Sequence, residues 1–131
     1  MLMGEAETTG RVVMVVEDEL LLASVIVETL EDAGFAVRGP YPKLSAAMAA
    51  LDGGEAVDIA LLDVNLRGEE VFPLAAKLQE RGTPFAFCTG YAQAMEFPAQ
   101  FVGTPVVSKP FTAKELRGAV ATLLAGAPPK A

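Results

Sequence analysis

The sequence predicts an α/β domain: a doubly wound, five-stranded parallel sheet with helices on both faces. Three observations predict it. Short apolar runs alternate with segments of helical periodicity five times along the chain. The short runs are continuously apolar rather than alternating, as in strands buried on both faces. Turn residues separate strand from helix, and right-handed crossovers then lay each helix back over a parallel sheet.

Residues 1–10 are small and polar and read as a frayed lead-in. Val12-Val13-Met14-Val15-Val16 is the first strand, ending at Glu17-Asp18-Glu19. Over 20–33, Leu22, Ile26, Leu30 and Ala33 recur at helical spacing, and Gly34 stands where a left-handed cap ends a helix. Phe35-Ala36-Val37 is a short second strand, punctuated by Gly39, Pro40 and Pro42. Leu44, Ala47, Met48 and Leu51 mark a second helix, and Ile59-Ala60-Leu61-Leu62 a third strand ending at Asp63. Val71, Leu74, Ala75 and Leu78 define a third helix closed by Gly82. Pro73 must lie in its first turn, where a missing N–H costs little. Phe85-Ala86-Phe87-Cys88 is a fourth strand. Residues 92–101 are apolar but interrupted by Pro98, which allows only a short or distorted helix. Pro105-Val106-Val107-Ser108 is the fifth strand. Leu116, Val120, Leu123 and Leu124 mark the last helix, so the domain spans 11–125 and 126–131 is a tail.

The composition limits what such a domain can do. A chain of 131 residues fits one domain, and 52% hydrophobic against 21% charged residues supports a core rather than disorder. A net charge of -7, with 10 basic residues that form no cluster, argues against a nucleic-acid surface. The absence of histidine excludes Ser-His triads, zinc-His sites and phosphohistidine carriers. One cysteine, Cys88, and no signal-peptide pattern point to a reducing cytoplasm. No apolar run approaches the ~20 residues that span a bilayer.

In an open parallel sheet the ligand site lies beyond the carboxyl ends of the strands. Glu17 and Asp18 follow strand one, Asp63 strand three, Thr89 strand four and Lys109 strand five. Each has an ordinary reading when taken singly. Acids are favoured at helix N-termini, Asp63 and Thr89 are common turn residues, and Lys109 reads as a solvated loop lysine. Solubility does not require all of them at one edge. Like charges ~4 Å apart repel by roughly 4 kcal/mol at an effective dielectric of about 20, so gathered carboxylates bind protons or recruit a cation. Mg2+ suits an all-oxygen set and keeps positions for water and phosphate oxygens, and a carbonyl at Asn65 is available to complete its shell. Metal and amine together stabilise a phosphoryl group in flight, with Asp63 as the nucleophile.

Val15-Val16-Glu17-Asp18-Glu19, Leu61-Leu62-Asp63-Val64-Asn65, Thr89-Gly90 and Ser108-Lys109-Pro110-Phe111 closely resemble the receiver domains of two-component response regulators. The resemblance covers the chain between its tails and implies the flavodoxin-like strand order 2-1-3-4-5. It further implies that Asp63 takes a phosphoryl group from a sensor histidine kinase. Glu17 and Asp18 would hold Mg2+ with Asp63 and the carbonyl of Asn65. Thr89 and the Gly90 amide would bind the phosphate, Lys109 would pair with it, and the Lys109-Pro110 bond would be cis. Such a domain is a phosphoacceptor switch that promotes its own phosphorylation and dephosphorylation rather than an enzyme. As a stand-alone receiver, a monomer or weak homodimer, it would act through a downstream phosphotransfer or effector protein, or as a phosphate sink.

One position departs from the pattern. Most receivers carry a switch aromatic three residues before the lysine, where this chain has Val106. Phe87-Cys88-Thr89-Gly90-Tyr91 instead places a tyrosine after the hydroxyl, similar to an alphaproteobacterial subgroup with a Phe-x-Thr-Gly-x-Tyr-like motif. Tyr91 is thus the expected reporter of phosphorylation, with simple packing as its other reading. Cys88 reads as core. Leu20-Leu21-Leu22 exceeds what one helix face buries and suggests a docking surface, although lone surface leucines are common. Three other functions remain open: a haloacid-dehalogenase-like phosphatase, disfavoured by Asp63 following strand three and by Asn65; a flavodoxin-like cofactor binder, whose phosphate Glu17-Asp18-Glu19 would repel; and a degenerate receiver that only binds.

Overall fold

The computed structural model describes residues 10–91 and 96–127; the sequence expectations for 1–9, 92–95 and 128–131 lie outside the described residues. The strands are β1 (Val12–Val16), β2 (Ala36–Tyr41), β3 (Ile59–Asp63), β4 (Asn65–Leu66), β5 (Glu69–Glu70), β6 (Phe85–Thr89) and β7 (Val106–Ser108). The helices are α1 (Leu20–Asp32), α2 (Leu44–Asp52), α3 (Phe72–Glu80) and α4 (Ala113–Ala125), with one 3-10 turn over Ala99–Phe101.

The main sheet is parallel, in the order β2-β1-β3-β6-β7. With the β4-β5 hairpin set aside, this is the expected order 2-1-3-4-5. All five residues of β1, β3 and β6 are buried, which explains their unbroken apolar runs. Side chains alternate between the two faces. Val13, Val15, Ile59, Leu61, Ala86 and Cys88 pack with Ile26 and Leu30 of α1 and Leu116, Val120 and Leu123 of α4. Met14, Val16, Ala60, Leu62, Phe85 and Phe87 pack with Ala47 and Leu51 of α2 and Leu74, Ala75 and Leu78 of α3. Burying each large apolar side chain stabilises the fold by about 1.5–3 kcal/mol.

Phe87 lies in the middle of an aromatic cluster. Its ring is stacked on Phe97 at 5.0 Å and meets Phe72, Phe85 and Phe101 edge-on. This cluster holds Phe97 and Phe101 against the sheet.

Three elements differ from the sequence expectation. Strand β2 extends to Tyr41, through the Gly39-Pro40 pair that reads as punctuation. An edge strand tolerates proline because its N–H has no obligatory partner. Gly39 has φ +103°, and a Cβ there would stand 2.6 Å from the Val15 carbonyl oxygen, so this close approach requires glycine. The second difference is the β4-β5 hairpin between β3 and α3, which is too short for any alternation to show. Third, the described part of the expected fourth helix is only the 3-10 turn after Pro98. Pro73 occupies the first turn of α3 as expected, and Lys109-Pro110 is cis.

Candidate functional site

The buried polar or charged residues among those described are Glu17, Asp63 and Thr89. Glu17 follows β1, and Asp63 and Thr89 are the last residues of β3 and β6, three strands adjacent in the sheet. Core polar groups carry a desolvation cost unless they are paired, so their meeting at one sheet edge marks the site.

Glu17 is fixed from several directions. Its main-chain N–H donates to the Tyr41 carbonyl at 3.0 Å, and its Oε2 accepts from the Glu19 N–H at 3.1 Å. Oε1 is buried with no aligned hydrogen-bond donor, yet Lys109 Nζ stands 2.8 Å from it. The contact is an ion pair by distance whose angles fall short of a hydrogen bond. Lys109 also lies 3.5 Å from Asp63 Oδ1, so one ammonium is shared by two carboxylates. Its own N–H donates to the Thr89 carbonyl at 2.9 Å, which ties the loop after β7 to the end of β6.

Glu17, Asp18 and Asp63 each present a carboxylate oxygen, and these atoms lie within 4.8 Å of one another. The crowding shows in the proton affinity of Asp63. Burial, then the hydrogen bond and charge of Glu17, push its carboxyl up from 3.8 to about 8, while Lys109 pulls it down. For Lys109, burial works against the charge, but Glu17 and Asp63 outweigh it and the ammonium is raised above 10.5. Burial pushes the Cys88 thiol up to about 12, so it is a core residue and not a nucleophile.

Thr89 Oγ1 accepts the Tyr91 main-chain N–H at 3.1 Å. The Tyr91 side chain is exposed, and Gly90 is exposed with no atom within 4 Å of a Cβ built on it. Packing therefore does not explain that glycine. Asn65 starts β4, and its Oδ1 accepts the Gly68 N–H at 2.8 Å. The structure thus brings carboxylate oxygens of Glu17, Asp18 and Asp63 within 4.8 Å of one another and pairs Lys109 with Glu17 and Asp63, while Thr89 ends β6, Gly90 follows it and Asn65 starts β4.

One residue at this edge escaped the sequence reading. Arg67, at the tip of the β4-β5 hairpin, brings Nε to 4.0 Å from Asp18 Oδ2. The Arg67-Gly68 pair between two two-residue strands was the available signal, since two-residue hairpins favour glycine there.

The sequence matches the family described as response regulator receiver domain over residues 13–121. The chain belongs to the response regulator receiver family. Among solved structures it is similar to SdrG from Sphingomonas melonis Fr1, with 31% identity and a TM-score of 0.67 over 95% of this chain and 98% of that one. The BeF3-activated conformation of SdrG from Pseudomonas melonis Fr1 is 37% identical, with a TM-score of 0.72 over 86% of this chain and 95% of that one. The receiver domain of PhyR from Erythrobacter litoralis, at 22% identity, shares the fold with a TM-score of 0.81 over 96% and 98% of the two chains. No curated protein matches. Receivers serve two-component signalling and bind Mg2+ at an acidic pocket, and this receiver has such a cluster in Glu17, Asp18 and Asp63. No helix among the described residues is long and apolar enough to cross a membrane.

Proposed function

We propose that this receiver accepts a phosphoryl group on Asp63 from a sensor histidine kinase, with Mg2+ beside it, and passes the event on through protein contacts. The observation that carries the reading is one buried carboxylate, Asp63, with an oxygen within 4.8 Å of two more carboxylates and a lysine ammonium at 3.5 Å. An all-oxygen set of hard donors suits Mg2+, and the buried Glu17 Oε1 without an aligned donor fits a cation site. Glu17, Asp18 and Asp63 would hold the ion. The main-chain carbonyl of Asn65, whose side chain accepts the Gly68 N–H, would be the fourth protein ligand. Bound Mg2+ supplies positive charge for the phosphoryl oxygens.

In the transfer, an Asp63 carboxylate oxygen forms the new bond to phosphorus as the bond to the kinase imidazole nitrogen breaks. The electron pair of that bond stays on the imidazole. Asp63 must be ionised to attack, and the Lys109 ammonium at 3.5 Å favours that state. Lys109 then pairs with the phosphate, while the Thr89 hydroxyl and the Gly90 amide donate to its remaining oxygens. SdrG, 37% identical, adopts a BeF3-activated conformation, which supports a switch of this kind. The exposed Leu20, Leu21 and Val25 at the start of α1 form an apolar strip next to Glu19, suited to contact with the kinase. Output is a contact with a downstream phosphotransfer or effector protein, or the draining of phosphoryl groups from a shared kinase.

Incubation with Mg2+ and a small acyl phosphate tests the reading. Intact mass should show one base-labile phosphoryl adduct, absent in Asp63→Asn and without Mg2+. An unmodified native chain, or an adduct that survives Asp63→Asn, would overturn it.

A further inference from the structure

Arg67 is the non-glycine residue with positive φ among those described, at +54°. It and Gly68, at +93°, form the two-residue turn between β4 and β5. Both residues of such a turn take left-handed conformations, which favours Asn or Gly and disfavours a long side chain. The hydrogen bond from Gly68 N–H to Asn65 Oδ1 stabilises the turn, so its shape does not depend on arginine. Glu69 and Glu70 stand next in the chain, both exposed, yet the ion pair of Arg67 is with Asp18 at 4.0 Å. The guanidinium thus reaches across to a carboxylate of the acidic cluster from a backbone position that costs free energy to hold.

We infer that Arg67 is a counter-cation that sets the divalent-ion affinity of the site by occupying Asp18 and yielding it when the ion binds. The inference rests on the reading of Glu17, Asp18 and Asp63 as the Mg2+ site. Asp18 is the member of the cluster suited to such an exchange. Glu17 and Asp63 are buried and share Lys109, whereas the Asp18 side chain is 22% exposed and pairs with the exposed end of a long side chain. Arg67 is itself 65% exposed, so water takes up the guanidinium once it is displaced. Occupation of Asp18 by arginine lowers the repulsion among the carboxylates while no ion is bound. The same contact must be broken before Asp18 ligates an ion, so the ion pair weakens ion binding. Arg67 is therefore a positioning residue, acting through Asp18.

The experiment is calorimetric titration of the full chain with Mg2+, without any phosphodonor. Arg67→Asn removes the guanidinium and keeps a residue that tolerates the left-handed turn. It should bind Mg2+ more tightly by roughly two- to fivefold, the range an exposed ion pair is worth. The gain should shrink at high salt, where exposed charges are screened. Arg67→Lys should fall between the native chain and Arg67→Asn. Arg38→Gln removes a charge from mid-strand β2, where Arg38 pairs with Glu55, and serves as the control for net charge alone. Equal affinity in native and Arg67→Asn chains overturns the inference. So does weaker binding in Arg67→Asn, or an equal gain in Arg38→Gln. A native chain that binds no Mg2+ overturns the metal-site reading and this inference with it, whereas a native chain that binds normally while the variants do not differ overturns this inference alone. Melting temperature in chelator checks that each variant is folded.

Discussion

Thr89 Oγ1 accepts the Tyr91 main-chain N–H at 3.1 Å, so the hydroxyl at the end of β6 is already committed to the loop that follows it. Accepting that bond leaves the Thr89 O–H free to donate, so a phosphoryl oxygen that takes its proton polarises or re-aims the contact with the Tyr91 amide. The Tyr91 amide should therefore shift in proton–nitrogen NMR spectra when BeF3 and Mg2+ are added, and Thr89→Ala should abolish most of the shift. Tyr91 resonances that stay in place in the native chain would remove Tyr91 as the reporter.

Lys109 shares its ammonium between Glu17 Oε1 and Asp63 Oδ1. Lys109→Met keeps the length and removes the charge. Phosphoryl adduct formation from a small acyl phosphate should fall by roughly a hundredfold, the usual consequence of losing one preorganised charge partner of the transition state. Rates followed by intact mass check this, and a rate within a few-fold of the native value would contradict the proposed role.

The raised Asp63 pKa sets the pH dependence of stability without an ion. Its folded value, about 8, lies above the ordinary 3.8, so between these values the folded chain binds more protons than the unfolded one. Stability then falls as pH rises through that window. Lys109, raised above 10.5, keeps its charge throughout and does not reverse the sign. Urea midpoints in chelator should decline from pH 5 to pH 8, and Mg2+ should flatten the decline by favouring the ionised carboxylate. A chelated protein that gains stability over this range would refute the assignment.

Phe87 is fully buried and touches four other phenylalanines. Phe87→Ala should cost about 3–5 kcal/mol in urea unfolding. It should also loosen the segment around Phe97 and Phe101, seen as faster amide exchange there than in β1.

Much of this was legible in the sequence, for physical reasons that differ by element. Strands β1, β3 and β6 were plain because burial on both faces demands unbroken apolar runs. The convergence of Glu17, Asp18, Asp63 and Lys109 at one edge was legible because parallel strands deliver the residues at their carboxyl ends there. Strand β2 was underestimated because Gly39 and Pro40, ordinary turn signals, are tolerated on an edge. The capping box that begins α4, Thr112 with Glu115, was present in the sequence as Thr-x-x-Glu and would have fixed that boundary. The Arg67-Gly68 turn pair was visible, but its pairing with Asp18 was not legible, because that depends on a turn whose flanking strands are two residues long.

The register of the sheet gives the domain a short internal range. Asp63 lies opposite Cys88, and Thr89 opposite Ser108, on successive neighbouring strands. Strands sit ~4.8 Å apart, so roughly 10 Å separates the aspartate from the border of the sheet. Two ladders of main-chain hydrogen bonds, β3 to β6 and β6 to β7, are all that lies along the sheet between the central carboxylate and that border.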